Sequence, residues 1–225
     1  MVLKKRCEAR GISCTIDTLG IGEEKDLTQY DLHFFMVGEQ IKSRLMLIED
    51  LLSRKENIKQ ALNQGTFALL ICGGYQLFGQ YYISADNKKI EGLKLFDYYT
   101  ETGDNGSRCI GNIAIKCNLD GREIVAVGFE NHGGQTRNVS SPLGNVLSGH
   151  GNCFGAKQEG FYNGQVLGTY MHGPLLPKNP EIADFIIYKA LKAKNPDVAL
   201  TDLVPLDDTL EHKAKEAMLH RLQVK

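Results

Sequence analysis

The 225-residue chain has no surplus of either charge, with 26 Lys and Arg against 27 Asp and Glu. That balance offers nothing to nucleic acid or to an anionic membrane surface. No stretch approaches the roughly 18 apolar residues of a spanning helix. The charged opening Met1-Val2-Leu3-Lys4-Lys5-Arg6-Cys7-Glu8 is amphipathic and does not read as a signal peptide. The six cysteines, at positions 7, 14, 72, 109, 117 and 153, include no Cys-x-x-Cys pair. This argues against a zinc site or a disulfide frame and predicts free thiols in a reducing, cytoplasmic setting. Internal repeats, low-complexity segments and linkers are also missing, and 42% hydrophobic content is enough for one substantial core. A single domain over 1–225 is expected, with a core to about 195 and a helical tail over 196–225.

What is present alternates. The chain to Arg10 reads as a helix stopped by Gly11, followed by a strand over Ile12–Ile16. Tyr30–Val37 reads as a strand, about Ser43–Asn63 as a helix, and Phe67–Ile71 as a buried strand. Short β-type runs over Glu91–Tyr99, Gly111–Cys117 and Glu123–Phe129 suggest antiparallel meanders. A strand over Val166–Met171 and a helix over about Glu181–Lys194 follow. The class is therefore α/β: a mainly parallel sheet with helices on both faces and an antiparallel β insertion. Such a sheet would lack its first strand, because the chain opens on a helix. Ligands of such sheets bind beyond the carboxyl ends of the strands, where Gly38 and Cys72 both fall.

Cys72 carries the strongest signal. It closes the apolar run Phe67-Ala68-Leu69-Leu70-Ile71 and turns at once through Gly73 and Gly74. A strand that ends in a nucleophile and bends sharply into a helix needs small neighbours, and the helix then aims its first N–H groups at the sulfur. A thiolate needs a base, and His172, at the end of a strand and before Gly173-Pro174, belongs on the same rim. This reading requires the sulfur at 72 and the imidazole at 172 to meet at one rim with an opening to solvent.

Ile71-Cys72-Gly73-Gly74-Tyr75-Gln76, Gly128-Phe129-Glu130-Asn131-His132-Gly133-Gly134 and Gly168-Thr169-Tyr170-Met171-His172-Gly173-Pro174, in this order, resemble the class I (triad-type) glutamine amidotransferases. Within that class they resemble the cobyric-acid-synthase-like branch, and within it most of all the glutaminase subunits of lipid II isoglutaminyl synthases. The likeness implies a flavodoxin-like fold. It implies Cys72 as nucleophile and His172 as base, an oxyanion hole from the loop at Gly38 and the N–H of Gly73, and substrate contacts from Arg108 and Gln76. It implies no cofactor or metal on this chain. ATP and magnesium are expected instead on a Mur-ligase-like synthetase partner in a heterodimer, which fits the absence of a GxxxxGK phosphate loop. The product would be ammonia, used to amidate the D-glutamate of lipid II in peptidoglycan synthesis. An amidotransferase for a cobalamin precursor and a catalytically silent partner-binding subunit are the alternatives.

Three departures from the pattern matter. Pro174 stands where ordinary class I enzymes carry the glutamate that orients the base, so an orienting carboxylate is expected from the partner. Met36-Val37-Gly38 replaces a run of glycines, and its bulk is expected to restrict the backbone of the oxyanion hole. The third is the missing first strand. Elsewhere, Glu130-Asn131-His132-Gly133-Gly134-Gln135-Thr136 reads as a polar rim loop, and Glu91, Asp97 and Glu101 as solvated charges. The charged tail around Glu211–Glu216 reads as a solvent-facing helix.

Overall fold

In the computed structural model, which describes residues 2–37, 41–103 and 107–224, the chain opens with helix α1 (Val2–Glu8). Gly11, at φ +68°, turns it out of the helix. Strand β1 (Leu32–Val37) follows, then helices α2 (Ile41–Ser53) and α3 (Lys55–Asn63), strand β2 (Phe67–Cys72) and the short helix α4 (Gly73–Phe78). The middle of the chain is all β: β3 (Tyr81–Ile83), β4 (Lys89–Glu91), β5 (Tyr99–Thr102), β6 (Cys109–Leu119), β7 (Arg122–His132), β8 (Gly134–Arg137) and β9 (Gly144–Ser148). Then come β10 (Gln158–Glu159), β11 (Phe161–Tyr162), β12 (Val166–Thr169) and β13 (Met171–His172). Helices α5 (Leu175–Lys178), α6 (Pro180–Lys194) and α7 (Thr209–Arg221) complete the chain.

Three sheets result. The first, in order β1-β2-β12-β11, is parallel across β1, β2 and β12, with β11 antiparallel. All six residues of β2 are buried, as a central strand covered on both faces must be. Phe185 of α6 meets Phe67 edge-on at 6.4 Å on one face, and Phe78 of α4 meets Phe35 at 5.0 Å. A second sheet, β10-β9-β6-β7-β13, is antiparallel, and a third runs β4-β3-β5-β8. The long β6–β7 ribbon turns through Asp120-Gly121, both at positive φ (51° and 90°), the backbone of a tight two-residue hairpin.

The parallel part is thus smaller, and the antiparallel part larger, than the sequence suggests. Several local expectations change as well. Residues 12–20 form no strand: Ile12 and Cys14 are half-buried between exposed neighbours, but among the described residues no strand pairs with them, and backbone pairing is what makes a strand. The helix expected over Ser43–Asn63 is broken at Arg54, whose guanidinium is drawn to Asp50 at 2.7 and 2.8 Å and to the carbonyl of Glu23. The strand expected over Val166–Met171 divides after Thr169, where the chain leaves the first sheet for the second. Glu91–Tyr99 is mostly irregular between β4 and β5.

The supposed rim loop at Glu130–Thr136 is mostly buried strand. Asn131 stays exposed, while Glu130, His132, Gln135 and Thr136 are buried, and each of these four makes at least one hydrogen bond to protein. Helix α7 is not wholly solvent-facing, since its buried Lys215 holds Glu181 of α6 at 3.0 Å. Arg6 ties α1 to Asp184 of α6 and to Asp208 before α7, at 2.6–3.0 Å. Among the described residues no helix is long and apolar enough to cross a membrane.

Candidate active site

Cys72 ends β2 with φ 53° and ψ −111°, a conformation that costs a residue with a Cβ about 1–3 kcal/mol and marks strand-to-helix elbows. Two glycines seat the helix that follows. A Cβ on Gly74 would lie 2.5 Å from the Phe35 carbonyl oxygen of β1, and one on Gly168 of β12 would lie 2.6 Å from the Tyr75 ring. Helix α4 therefore rests on both neighbours of β2. Because the atom facing Gly74 is backbone, it cannot swing away. Gly74→Ala is expected to cost about 3 kcal/mol, read as a lower urea midpoint at unchanged slope.

Thr169 pairs with Ile71, so the next residues along the two strands are Tyr170 and Cys72. Proximity to Cys72 is one of the influences that push the Tyr170 hydroxyl up, after the larger effect of burial. His172 lies two residues beyond Tyr170, on β13, which adjoins β2 and pairs with β7 (His172 opposite Phe129). Nucleophile and base candidates thus stand at the carboxyl ends of neighbouring chain segments. The opening is another matter. Cys72 is 1% exposed, whereas a reacting thiol must meet its substrate. Burial pushes the Cys109 and Cys117 thiols up to about 11, the state of inert core cysteines.

The other expected residues are spread more widely. Gly73 opens α4 and is buried. Gly38, and the side chain of Val37, lie outside the described residues. Met36 is 65% exposed and directs its bulk to solvent. Gln76 is buried beneath the elbow, and its amide donates to the Tyr170 hydroxyl at 2.9 Å. The guanidinium of Arg108 lies 2.7 Å from Asn131 Oδ1 at the end of β7. Glu91 is ion-paired with Lys89 and Lys94 at 2.8 and 2.7 Å.

Behind Tyr170 lies a buried polar cluster that sequence reasoning resolved only in part. His132, taken from the sequence as part of a loop, is fully buried. Its Nδ1 sits 2.7 Å from the Gly134 carbonyl and so carries the proton, and its ring stacks on Tyr170 at 3.6 Å and 8°. Glu130 accepts from the backbone N–H groups of His150 (2.7 Å) and Gly151 (2.9 Å) and lies 3.8 Å from His132 Nε2. Thr136 bonds both Tyr170 and Thr100 through its hydroxyl.

Glu159, in a stretch whose sequence gives no signal, is also fully buried, and burial pushes its carboxyl up to about 7. Hydrogen bonds from Thr169 and Tyr170 pull the other way, and desolvation wins. A carboxyl raised above its ordinary 4.5 stabilises the fold fully at pH below that value, and the contribution drains away as pH rises through about 7. The melting temperature is therefore expected to fall over that window, and the fall should flatten in Glu159→Gln.

A strained cysteine at a strand-to-helix elbow, beside a strand that carries a histidine, defines an acyl-transfer type of site. The sequence pattern of the CobB/CobQ-like glutamine amidotransferase domain matches residues 2–180. The chain belongs to that family and is a glutamine amidotransferase.

Over 221 residues (98% of this chain, 87% of the relative) it is 35% identical to the subunit GatD of the glutamine-hydrolyzing lipid II isoglutaminyl synthase of Staphylococcus aureus (strain N315). It is 38% identical over 196 residues to the corresponding Streptococcus pneumoniae subunit, covering 86% of this chain and 74% of that one. A probable cobyric acid synthase of Methanocaldococcus jannaschii is 33% identical over 63% of this chain but only 30% of its own length. The fold is shared with a crystal structure of a glutamine amidotransferase (TM-score 0.51, 13% identity, 83% of this chain and 91% of that one). It is shared equally with PurLQS from Thermotoga maritima (TM-score 0.53, 15% identity, 85% and 91%).

Proposed function

We propose that this chain is the glutamine-hydrolysing subunit of a lipid II isoglutaminyl synthase. It would hand ammonia to a Mur-ligase-like, ATP-dependent partner, in a heterodimer, for amidation of the D-glutamate of lipid II during peptidoglycan synthesis. The likeness to two GatD subunits over most of the chain supports the pathway. The observation that carries the chemistry is the Cys72 backbone at φ 53° and ψ −111°.

In this reading the Cys72 thiolate adds to the side-chain amide carbon of glutamine, and the Gly73 N–H and one from the loop at Gly38 hold the oxyanion. His172 delivers a proton to the departing nitrogen, the C–N bond breaks, and a γ-glutamyl thioester remains. His172 then takes a proton from water, whose oxygen attacks the thioester and frees glutamate and the thiolate. Arg108 grips the α-carboxylate through its guanidinium fork. Gln76 acts from behind, through Tyr170.

The residue two places after His172 is Pro174, which has no carboxylate to orient the imidazole. The partner supplies that group and also opens the rim over the buried Cys72. A base without its orienter loses up to about 10⁴ in rate. Isolated chain is therefore expected to hydrolyse glutamine slowly and to gain about 100-fold or more on adding the partner. Equal rates with and without partner would remove this part of the reading.

The low exposure of Cys72 favours one rival, a silent partner-binding subunit. Diazo-oxo-norleucine separates the two. An adduct on Cys72 in the complex supports the glutaminase, and no adduct there supports the silent module.

A further inference from the structure

Glu159 lies outside the roles given above, yet it sits where the chain changes sheets. Its Oε1 accepts from the Thr169 hydroxyl and from the Tyr170 N–H at 2.8 Å, and the Thr169 oxygen in turn accepts from the Met171 N–H at 3.0 Å. Three consecutive residues thus hang from one carboxyl group on β10. On one side of them β12 is registered against β2, and on the other β13 is registered against β7. His172 is the first residue past the suspended segment, so the path of residues 169–171 sets where its imidazole stands.

The same segment is gripped from its side chains. The Tyr170 hydroxyl meets Gln76 from the elbow helix and Thr136 from β8, while its ring lies on His132. Tyr170 therefore couples the helix of the nucleophile to the strand of the base. We propose that Glu159 is a positioning residue for glutamine hydrolysis, fixing the crossing from β12 to β13 and with it the placement of His172 relative to Cys72. The inference rests on the glutaminase reading.

The post must be polar, since an apolar side chain would leave the Tyr170 N–H and the Thr169 hydroxyl without their acceptor. A fully buried carboxyl group is costly, and here its second oxygen has no hydrogen-bond partner. Its ionisable surroundings are Glu130 and His132 on β7, Tyr75 on α4 and Tyr170. Each of these groups except Tyr75 belongs to the cluster that backs the His172 strand.

The test uses the full chain, alone and with its partner. Glu159→Ala is expected to lower kcat about 100-fold with KM changed less than about threefold, because a misplaced base slows chemistry more than binding. The rate of Cys72 alkylation by iodoacetamide near neutral pH should fall as well, by about threefold or more, since a displaced His172 no longer favours the thiolate. The NMR titration midpoint of the His172 ring should move by about half a pH unit or more. Glu159→Gln, which keeps an acceptor oxygen, should restore kcat to within about fivefold of the parent. Thr169→Val deletes only the hydroxyl link, should show the same split at about tenfold, and decides the matter if the alanine variant does not fold.

The proposal is overturned if the glutamine variant is as impaired as the alanine one. It is equally overturned if folded variants keep the parental His172 titration and kcat. Should the parent protein itself turn over no glutamine with its partner, the glutaminase reading falls, and the His172 titration alone decides the positioning claim.

Discussion

Cys72→Ala is expected to lower glutamine turnover by about 10³-fold or more while costing the fold only about 1 kcal/mol. Chemistry needs the sulfur far more than the fold does. The side chain at position 72 is held at φ 53° by the strand behind it and the helix ahead of it, and it is buried in the core at 1% exposure. Replacement by alanine removes one heavy atom and keeps the backbone strain. Steady-state ammonia release in the complex gives the first number, and urea unfolding of the isolated chain gives the second. A variant that retained a tenth of the turnover would transfer the nucleophile's role to another residue.

His172→Asn is expected to lose a comparable factor, about 10³, again mostly in kcat. The size follows from the base acting twice, first on the leaving nitrogen and then on the hydrolytic water, so both halves of the reaction slow together. Nucleophile and base work as a unit, so their losses do not multiply. Cys72→Ala combined with His172→Asn should be no slower than Cys72→Ala alone. A multiplied loss of about 10⁶ would mean that the two residues serve separate steps. The asparagine variant should also slow alkylation of Cys72 near neutral pH, because an unpaired thiol is less ionised.

The elbow was legible in the sequence because its causes are local: a buried apolar run, a cysteine and two glycines in six residues. The close approach of Gly74 to the Phe35 carbonyl supplies the reason for one of those glycines. Strands β2, β6 and β7 and helix α6 were legible for the same reason, since their apolar residues report which face is buried, whereas the short strands β3, β8, β9, β10 and β11 carry no such run. What escaped is what depends on a partner distant in sequence. Ile12–Ile16 has the alternation of a strand and lacks a neighbour to pair with. Glu130, His132 and Glu159 look like solvated polar residues until β6, β7 and β10 fold around them, after which their partners are residues up to 21 positions away. Polarity alone says that a side chain needs hydrogen bonds, and the fold decides whether water or protein supplies them. The split of the Val166–Met171 strand was hidden too, because a change of sheet leaves no mark on hydropathy.

That split has a mechanical consequence. Cys72 is carried by one slab of strands, while His172 rides on another whose backbone is the eleven-residue pair β6 and β7, a ribbon about 35 Å long. A sub-ångström slip between the slabs changes the gap between sulfur and imidazole without unwinding either. Such a slip is resisted at the far tip of the ribbon, where Asp120 accepts from the Tyr162 hydroxyl of β11 at 2.6 Å and from Lys189 of α6 at 3.1 Å, so the two slabs are pinned together there.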